Sequence, residues 1–310
     1  MPYLGEICAL GTALCWTASS TAFAVASRAV GPLPANHFRL VAALPCLLLL
    51  AWAVVGQPWP VAASSHQMWV LVASGLAGLV LGDLGYFYAL AKIGPRLCSV
   101  LMATWPACTV AMEAAVGRLP TAAMLLGIAT TMVGVALVLL RSGDQKVWQP
   151  DLPRRQWWLG IGGALLGAIG QAGGFVLAGY GMAADGDAAA VPPLLATVVR
   201  MVTATLGLQL VLVLQRVPFA AVDVCRNALA LRAALLGAVF GPIGGVWLSM
   251  VARQQAHDAG IASALMATTP VFMMPVAYGL YGARIGRLGL LGTLVATAGV
   301  AWCFLARPAA

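Results

Sequence analysis

The chain has 310 residues, of which 62% are hydrophobic and 8% are charged. Soluble domains carry roughly 25% charged residues, so a soluble fold is excluded, because it could not bury this much apolar surface. The net charge is +8, but the Lys and Arg residues lie mostly between apolar runs and form no single basic patch, which argues against nucleic-acid binding.

Ten apolar stretches follow one another along the chain, each near the length of about 20 residues that a membrane-spanning helix needs. They lack the alternation typical of barrel strands. The sequence therefore predicts an all-α integral membrane protein with ten transmembrane helices. The predicted spans are 5–26, 35–55, 68–90, 96–116, 121–140, 157–179, 194–214, 231–252, 259–280 and 286–305. Glu6 and the lack of a basic leader indicate that the first span is retained.

Turn-forming residues separate the first four spans, with Gly31-Pro32, Gly56 and Gly94-Pro95 at the three breaks. The longest polar stretch lies in the middle of the chain, at 141–156. We predict that it links a first unit of five helices to a second. The predicted units are 1–140 and 157–310.

The two units share an ordered series of motifs. LMATWP at 101–106 recurs as LMATTP at 265–270, and Arg39 matches Arg200. Gly82-Asp83-Leu84-Gly85 matches Gly241-Pro242-Ile243-Gly244, and the offset between matched positions stays between 159 and 165 residues. Since each unit has an odd number of spans, the second enters the membrane in the opposite orientation. Inverted repeats around a midplane site are a recurrent transporter architecture.

The basic residues predict the orientation. Twelve of the 17 Lys and Arg residues follow odd-numbered predicted spans and three follow even-numbered ones, namely Arg118, Arg253 and Arg307. Positive charge is enriched in cytoplasmic loops. Both chain termini are therefore predicted to be non-cytoplasmic.

Several motifs carry a family resemblance. They are GLVLGDLG at 78–85, IGPRL at 93–97, the two LMAT-x-P segments, GAVFGPIGGVWLS at 237–249 and the Gly-rich fifth and tenth spans. On these motifs the chain resembles the EamA family of the drug/metabolite transporter superfamily over nearly its whole length. The resemblance implies two five-helix repeats that carry small metabolites, often outward. Family members often have a Gly-Glu-Arg turn after spans four and nine, and Gly117-Arg118-Leu119 and Gly282-Ala283-Arg284-Ile285 lack that Glu.

Three carboxylates within the predicted spans are candidates for substrate binding or proton coupling, because ionisable groups are costly inside a membrane. Asp83 lies in the middle of span three, where it could take a proton, hold a cationic group or pair with a buried Arg. Glu6 begins span one, and the alternative for it is an interfacial carboxylate at a helix start. Glu113 lies late in span four, facing either the cavity or the headgroups.

Arg39 and Arg200 are the matched basic candidates within spans. A guanidinium suits carboxylate or phosphate recognition. The alternatives are snorkelling and a structural pair with Asp83 or Glu113. Their symmetry favours a gate or scaffold over a single substrate clamp.

Further residues are predicted to shape or line the pathway. Pro106 and Pro270 are expected to kink spans four and nine at matched depths, although membrane helices also tolerate Pro without a functional role. Gly82, Gly85 and Pro242 are the other hinge or cavity-shaping candidates. The lining candidates are Trp16, Tyr86, Gln171 and Trp247, for which helix contacts and interfacial belts are the alternatives.

The sequence as a whole predicts a secondary transporter of small organic metabolites or drug-like compounds. Family resemblance favours export of amino-acid-like solutes by alternating access, with a proton as the candidate coupling ion. The expected setting is the inner membrane of a bacterium, with lipid around a monomer. No catalytic residue or cofactor is predicted, because His257-Asp258 lacks an orienting third group. No metal site is predicted, because the seven Cys residues form no CxxC pair. The alternatives are a membrane-embedded lipid-modifying enzyme and a non-transporting scaffold.

Overall fold

The structure is a computed structural model that describes residues 3–115, 121–140, 151–255, 265–281 and 286–305. Within these ranges the chain forms helices and no strand, and an isolated bridge joins Asp185 to Ala188. Most of the predicted linker 141–156, the start of the predicted ninth span and both chain ends lie outside the described residues.

The first half contains six α-helices and the second half seven among the described residues. The first six are α1 (Leu4–Val30), α2 (Pro32–Val55), α3 (Ser65–Gly75), α4 (Asp83–Met102), α5 (Trp105–Ala115) and α6 (Ala122–Leu140). The others are α7 (Arg154–Met182), α8 (Pro193–Leu214), α9 (Ala221–Cys225), α10 (Ala228–Ala238), α11 (Trp247–Gln255), α12 (Thr269–Tyr281) and α13 (Arg287–Leu305). Two π-helical segments, Leu76–Gly82 and Val239–Val246, join α3 to α4 and α10 to α11.

Six helical stretches of the described chain are long and apolar enough to cross a membrane, and three shorter apolar helices accompany them. They carry predicted spans one, two, three, six, seven and eight. Large apolar side chains on their outer surfaces are exposed, as at Leu49 (65%) and Leu206 (66%). Helices satisfy their own backbone hydrogen bonds in lipid, and these outward side chains provide the apolar contact. The chain is therefore a multi-pass helical membrane protein.

The predicted breaks at Gly31, Gly56 and Gly94 are present. All three residues have a positive φ, between 79° and 96°, which glycine adopts without steric cost. Gly31 separates α1 from α2, whereas Gly94 lies inside α4 and bends the chain there without a loop. Spans three and four are thus nearly continuous, and Arg96 is a buried residue of α4.

A glycine seam joins the two halves. A Cβ atom placed on Gly170 of α7 would lie 2.5 Å from the Cα of Gly82, and one on Gly163 would lie 2.6 Å from the carbonyl oxygen of Gly85. Ser74 Oγ donates to the Gly174 carbonyl oxygen at 2.6 Å on the same seam. Small residues allow such backbone contact between membrane helices. Gly82 and Gly85 therefore act at a helix interface of the structure.

A second seam joins α6 to α13. A Cβ atom on Gly134 would overlap the backbone nitrogen of Ala296, and one on Gly299 would overlap that of Thr131. The repeat offset of 165 residues maps Gly134 onto Gly299 and Thr131 onto Ala296. Adding the repeat offset to one contact therefore gives the other contact. This is the pattern expected when an approximate two-fold axis relates the two halves.

The third interface packs α1 against α10 and the second π-helical segment. A Cβ atom on Gly237 would lie 2.5 Å from the ring of Phe23, and one on Gly245 would lie 2.7 Å from the ring of Trp16. The repeat relates this pairing of spans one and eight to the pairing of spans six and three. Aromatic rings of α1 thus occupy this interface, whereas backbone atoms meet directly where Gly82 contacts Gly170 in the glycine seam.

Candidate functional site

Four side chains on one face of α1 begin the site. Trp16, Ser19, Ser20 and Phe23 follow the spacing i, i+3, i+4 and i+7, which places them on one side of a helix. All four line a cavity of about 100 Å³. The packing of Trp16 and Phe23 against glycines of the opposite half fixes the orientation of this face.

Both halves of the chain line this cavity. The first half supplies, besides the α1 face, Arg39, Leu79, Asp83, Tyr86, Ser99, Met102, Ala103 and Trp105. The second half supplies Gly167, Gln171, Gly241, Val246, Met266, Ala267, Thr269 and Pro270. A cavity shared by two repeats is the usual position of a transporter binding site.

Matched helix breaks border the cavity. The helical path is interrupted at 103–104 and again at 267–268. At each break a threonine hydroxyl turns back onto the preceding helix: Thr104 Oγ1 donates to the Leu101 carbonyl oxygen at 2.8 Å, and Thr268 Oγ1 to that of Leu265 at 2.6 Å. The break thus repeats in both halves, down to its hydrogen bonds.

Pro106 and Pro270 lie just beyond these breaks, each as the second residue of the next helix. Proline lacks a backbone N–H, and its ring clashes with the carbonyl group four residues earlier. That position is Met102 or Met266, immediately before each break. The interruption therefore falls before the proline and not at it, and Pro270 also lines the cavity.

A buried ion pair forms part of the cavity wall. Arg39 Nη2 of α2 donates to Asp83 Oδ2, and the two side chains are 6% and 13% exposed. The Arg39 guanidinium carbon lies 5.1 Å from the Phe87 ring centroid and 6.0 Å from that of Phe23. Asp83 is the first residue of α4, directly after the π-helical segment Leu76–Gly82. Such π-helical turns often occur at functional sites.

Arg200, the repeat counterpart of Arg39, has different surroundings. It is 2% exposed and is absent from the cavity lining that the structure describes. Its Nη1 donates to Met250 Sδ at 3.2 Å, and Asp83 attracts it at a longer range. Pro242 occupies the position that matches Asp83, so span eight cannot repeat the ion pair.

The other sequence candidates divide into two groups. Trp16, Tyr86 and Gln171 line the cavity. Glu6 lies in the first turn of α1 and Glu113 near the end of α5, and neither is a described lining residue. The remaining candidates also lie outside the described lining: Trp247, Pro106, Gly82, Gly85 and Pro242.

Several lining residues were not anticipated. Phe23 completes the helical face of Trp16, so its spacing was a usable signal. Met102, Ala103, Met266 and Ala267 belong to the repeated LMAT segments, and the repetition marked them without indicating which way they face. Ser99 had no signal in the sequence.

The chain resembles known proteins in its family pattern and its fold. The EamA-like transporter family matches residues 3–140 and 158–305. Among curated proteins, none matches the sequence. A crystal structure of another protein, 18% identical in sequence, superposes with a TM-score of 0.65 over 97% of this chain and 96% of that one. At that identity the likeness concerns the fold alone.

Proposed function

Because the chain belongs to the EamA-like transporter family, we propose that it is a secondary transporter that exports small, amino-acid-like organic solutes by alternating access. The observation that carries the proposal is a cavity lined by both halves and bordered by matched helix breaks. A site between two repeats can open to either side of the membrane when the halves exchange conformations.

The moving parts in this proposal are the units 1–140 and 157–310, joined by the linker 141–156. They form two inverted repeats of five membrane-spanning helices, ten in all. The exchanged contacts Gly134–Ala296 and Gly299–Thr131 support the inversion, because α6 and α13 approach each other in opposite directions. In this proposal the two halves rotate relative to each other about an axis that passes through the interface between α6 and α13.

The charge distribution supports the proposed orientation in the membrane. We place the protein in the inner membrane of a bacterium, as a monomer with both termini on the non-cytoplasmic side. Ten helices enclose a complete pathway without a second copy.

Coupling is assigned to Asp83, since among the described lining residues it is the carboxylate. A proton and a cationic substrate group compete for the same oxygens, which links outward movement of solute to inward movement of a proton. Glu6 and Glu113 are not among the described lining residues and are given no part in this step. The structure offers no observation, among the described residues, that favours a lipid-modifying enzyme or a scaffold.

The proposal is tested in proteoliposomes loaded with labelled amino acids, by measuring efflux with and without a pH gradient. Wild-type protein should release label faster when the outside is acidic. Asp83→Asn should lose the pH-driven component, and so should the double variant Arg39→Gln/Asp83→Asn, which leaves no unbalanced charge buried. The matched control is Asp223→Asn, because that side chain is 56% exposed and lies at the protein surface. Unchanged pH-driven efflux from Asp83→Asn contradicts the coupling, and no flux of any solute contradicts transport.

A further inference from the structure

The cavity wall has formal charges but no net charge. Among the lining residues that the structure describes, Arg39 carries the positive charge and Asp83 the negative one. The remaining polar side-chain groups are hydroxyls, the Gln171 amide and the indoles of Trp16 and Trp105. The wall is thus a buried dipole made of two opposite charges.

The ion pair leaves much of its binding capacity unused. A guanidinium has five N–H donors, and Arg39 Nη2 makes the contact to Asp83 through one carboxylate oxygen. Arg39 Nε is buried and has no hydrogen-bond partner. The guanidinium carbon also lies 5.1 Å from the Phe87 ring centroid and 6.0 Å from that of Phe23, so Arg39 has contacts besides the one to Asp83.

These features match one ionic form of solute. A cation or an anion entering this cavity adds an unbalanced charge to a site inside the membrane, which is costly. A zwitterion adds none. Its carboxylate can replace Asp83 on Arg39, in the bidentate geometry that Arg favours, while its ammonium group takes the Asp83 carboxylate. Every charge stays paired throughout the exchange.

We propose that the Arg39–Asp83 pair is a receptor for the α-amino and α-carboxylate groups of a zwitterionic amino acid, which inserts between the two side chains and separates them. The inference rests on the proposed transport function and specifies how its substrate is recognised. Trp16, Phe23, Met102 and Met266 then face the substrate's side chain. Aromatic rings and thioethers favour an aliphatic or thioether side chain there.

The test measures thermal stabilisation of the full chain in mild detergent with three ligands of the same shape. L-leucine has both charges, 4-methylpentanoate has only the carboxylate, and 3-methylbutylamine has only the ammonium group. Because a buried charge left without its partner is expensive, we expect leucine to bind about 30-fold or more tightly than either analogue. Equal binding of leucine and one analogue overturns the proposal.

Variants of the pair should change the preference in opposite directions. Asp83→Asn leaves the Arg39 charge, so the carboxylate analogue should bind at least as well as leucine. Arg39→Gln leaves the Asp83 charge and should favour the amine. Since single variants bury an unbalanced charge and can fail to fold, the neutral double variant Arg39→Gln/Asp83→Asn is measured too. It should fold and lose about 30-fold or more of the leucine affinity, and retained affinity overturns the proposal.

Two controls separate the possible causes of failure. Arg200→Gln removes an equally buried guanidinium outside the described lining, and it should keep the preference for leucine. Loss of that preference in Arg200→Gln overturns the assignment to Arg39. Counterflow in proteoliposomes is measured on the same preparation. Flux of cationic or neutral solutes without leucine binding overturns the zwitterion receptor and leaves the transport function standing.

Discussion

Arg200 lies against the bare backbone of Gly78, where an added Cβ atom would be 3.2 Å from Arg200 Nη2. Gly78 belongs to the π-helical segment that leads to Asp83. The two repeat-related arginines thus contact positions only five residues apart in span three, Gly78 and Asp83. Arg39 meets its carboxylate, and Arg200 meets a position without a side chain.

This difference predicts unequal effects on stability. Arg39→Met removes the partner of a buried carboxylate, and breaking a buried pair costs about 3–5 kcal/mol. Arg200→Met removes no hydrogen bond to a carboxylate. We therefore expect it to lower the free energy of unfolding by no more than about 1 kcal/mol. Thermal unfolding in detergent distinguishes them. The double variant Arg39→Met/Asp83→Leu should recover most of the loss, and equal losses for the two single variants would contradict this account.

The glycine seam predicts that neighbouring positions of α7 differ in tolerance. Gly170→Ala places a Cβ atom 2.5 Å from the Cα of Gly82, and overpacking of this kind costs about 1–3 kcal/mol. Gly162→Ala is the matched control, because no atom lies within 4 Å of its added Cβ. The melting temperature should fall for the first variant and stay near wild type for the second. A large fall for Gly162→Ala would mean that α7 glycines matter for reasons other than contact.

The cavity predicts where bulk blocks transport. Ala103 and Ala267 are repeat-matched, are each 2% exposed and line the cavity. Ala103→Trp and Ala267→Trp should each abolish solute flux in proteoliposomes, because the ring fills the space that the substrate needs. Ala53→Trp, at an exposed position of α2, should leave flux unchanged.

Folding must be checked separately for these variants. Ala103→Leu and Ala267→Leu add less volume, so they should retain measurable stability and show an intermediate flux. Normal flux through a well-folded Ala267→Trp protein would place the pathway elsewhere.

The orientation predicts a labelling pattern. Cys225 ends α9, is exposed and lies between spans seven and eight, on the predicted cytoplasmic side. A membrane-impermeant maleimide should label it in inside-out vesicles and not in right-side-out ones. Cys225→Ser should remove that signal. Labelling from the outside would invert the predicted topology and place both termini in the cytoplasm.

Much of the architecture was predictable because it depends on one-dimensional patterns. Apolar length identified membrane helices, Gly-Pro pairs identified breaks, and repeated LMAT segments identified the duplication. The matched prolines predicted kinks at 106 and 270, whereas the structure has the interruptions at 103–104 and 267–268. The pairing of Arg39 with Asp83 was among the alternatives, since a buried charge requires a partner.

The remainder depends on packing in three dimensions. The π-helical segments require hydrogen bonds of wider spacing that tertiary contacts select, and no residue type marks them. The different fates of Arg39 and Arg200 follow from their neighbours, a carboxylate for one and Met250 for the other. The sequence of a uniformly apolar helix does not indicate which of its faces lines the cavity. Sequence position alone therefore could not show that Ser99 is a described lining residue and that Glu113 is not.

Pro242 stands in the second half where Asp83 stands in the first. A protein assembled from two identical copies of one half would carry such an acid in both span three and span eight or in neither. Fusing two halves that have diverged avoids this restriction. The described cavity lining therefore holds one charged pair, which the first half alone supplies, although the backbones of the two duplicates remain alike.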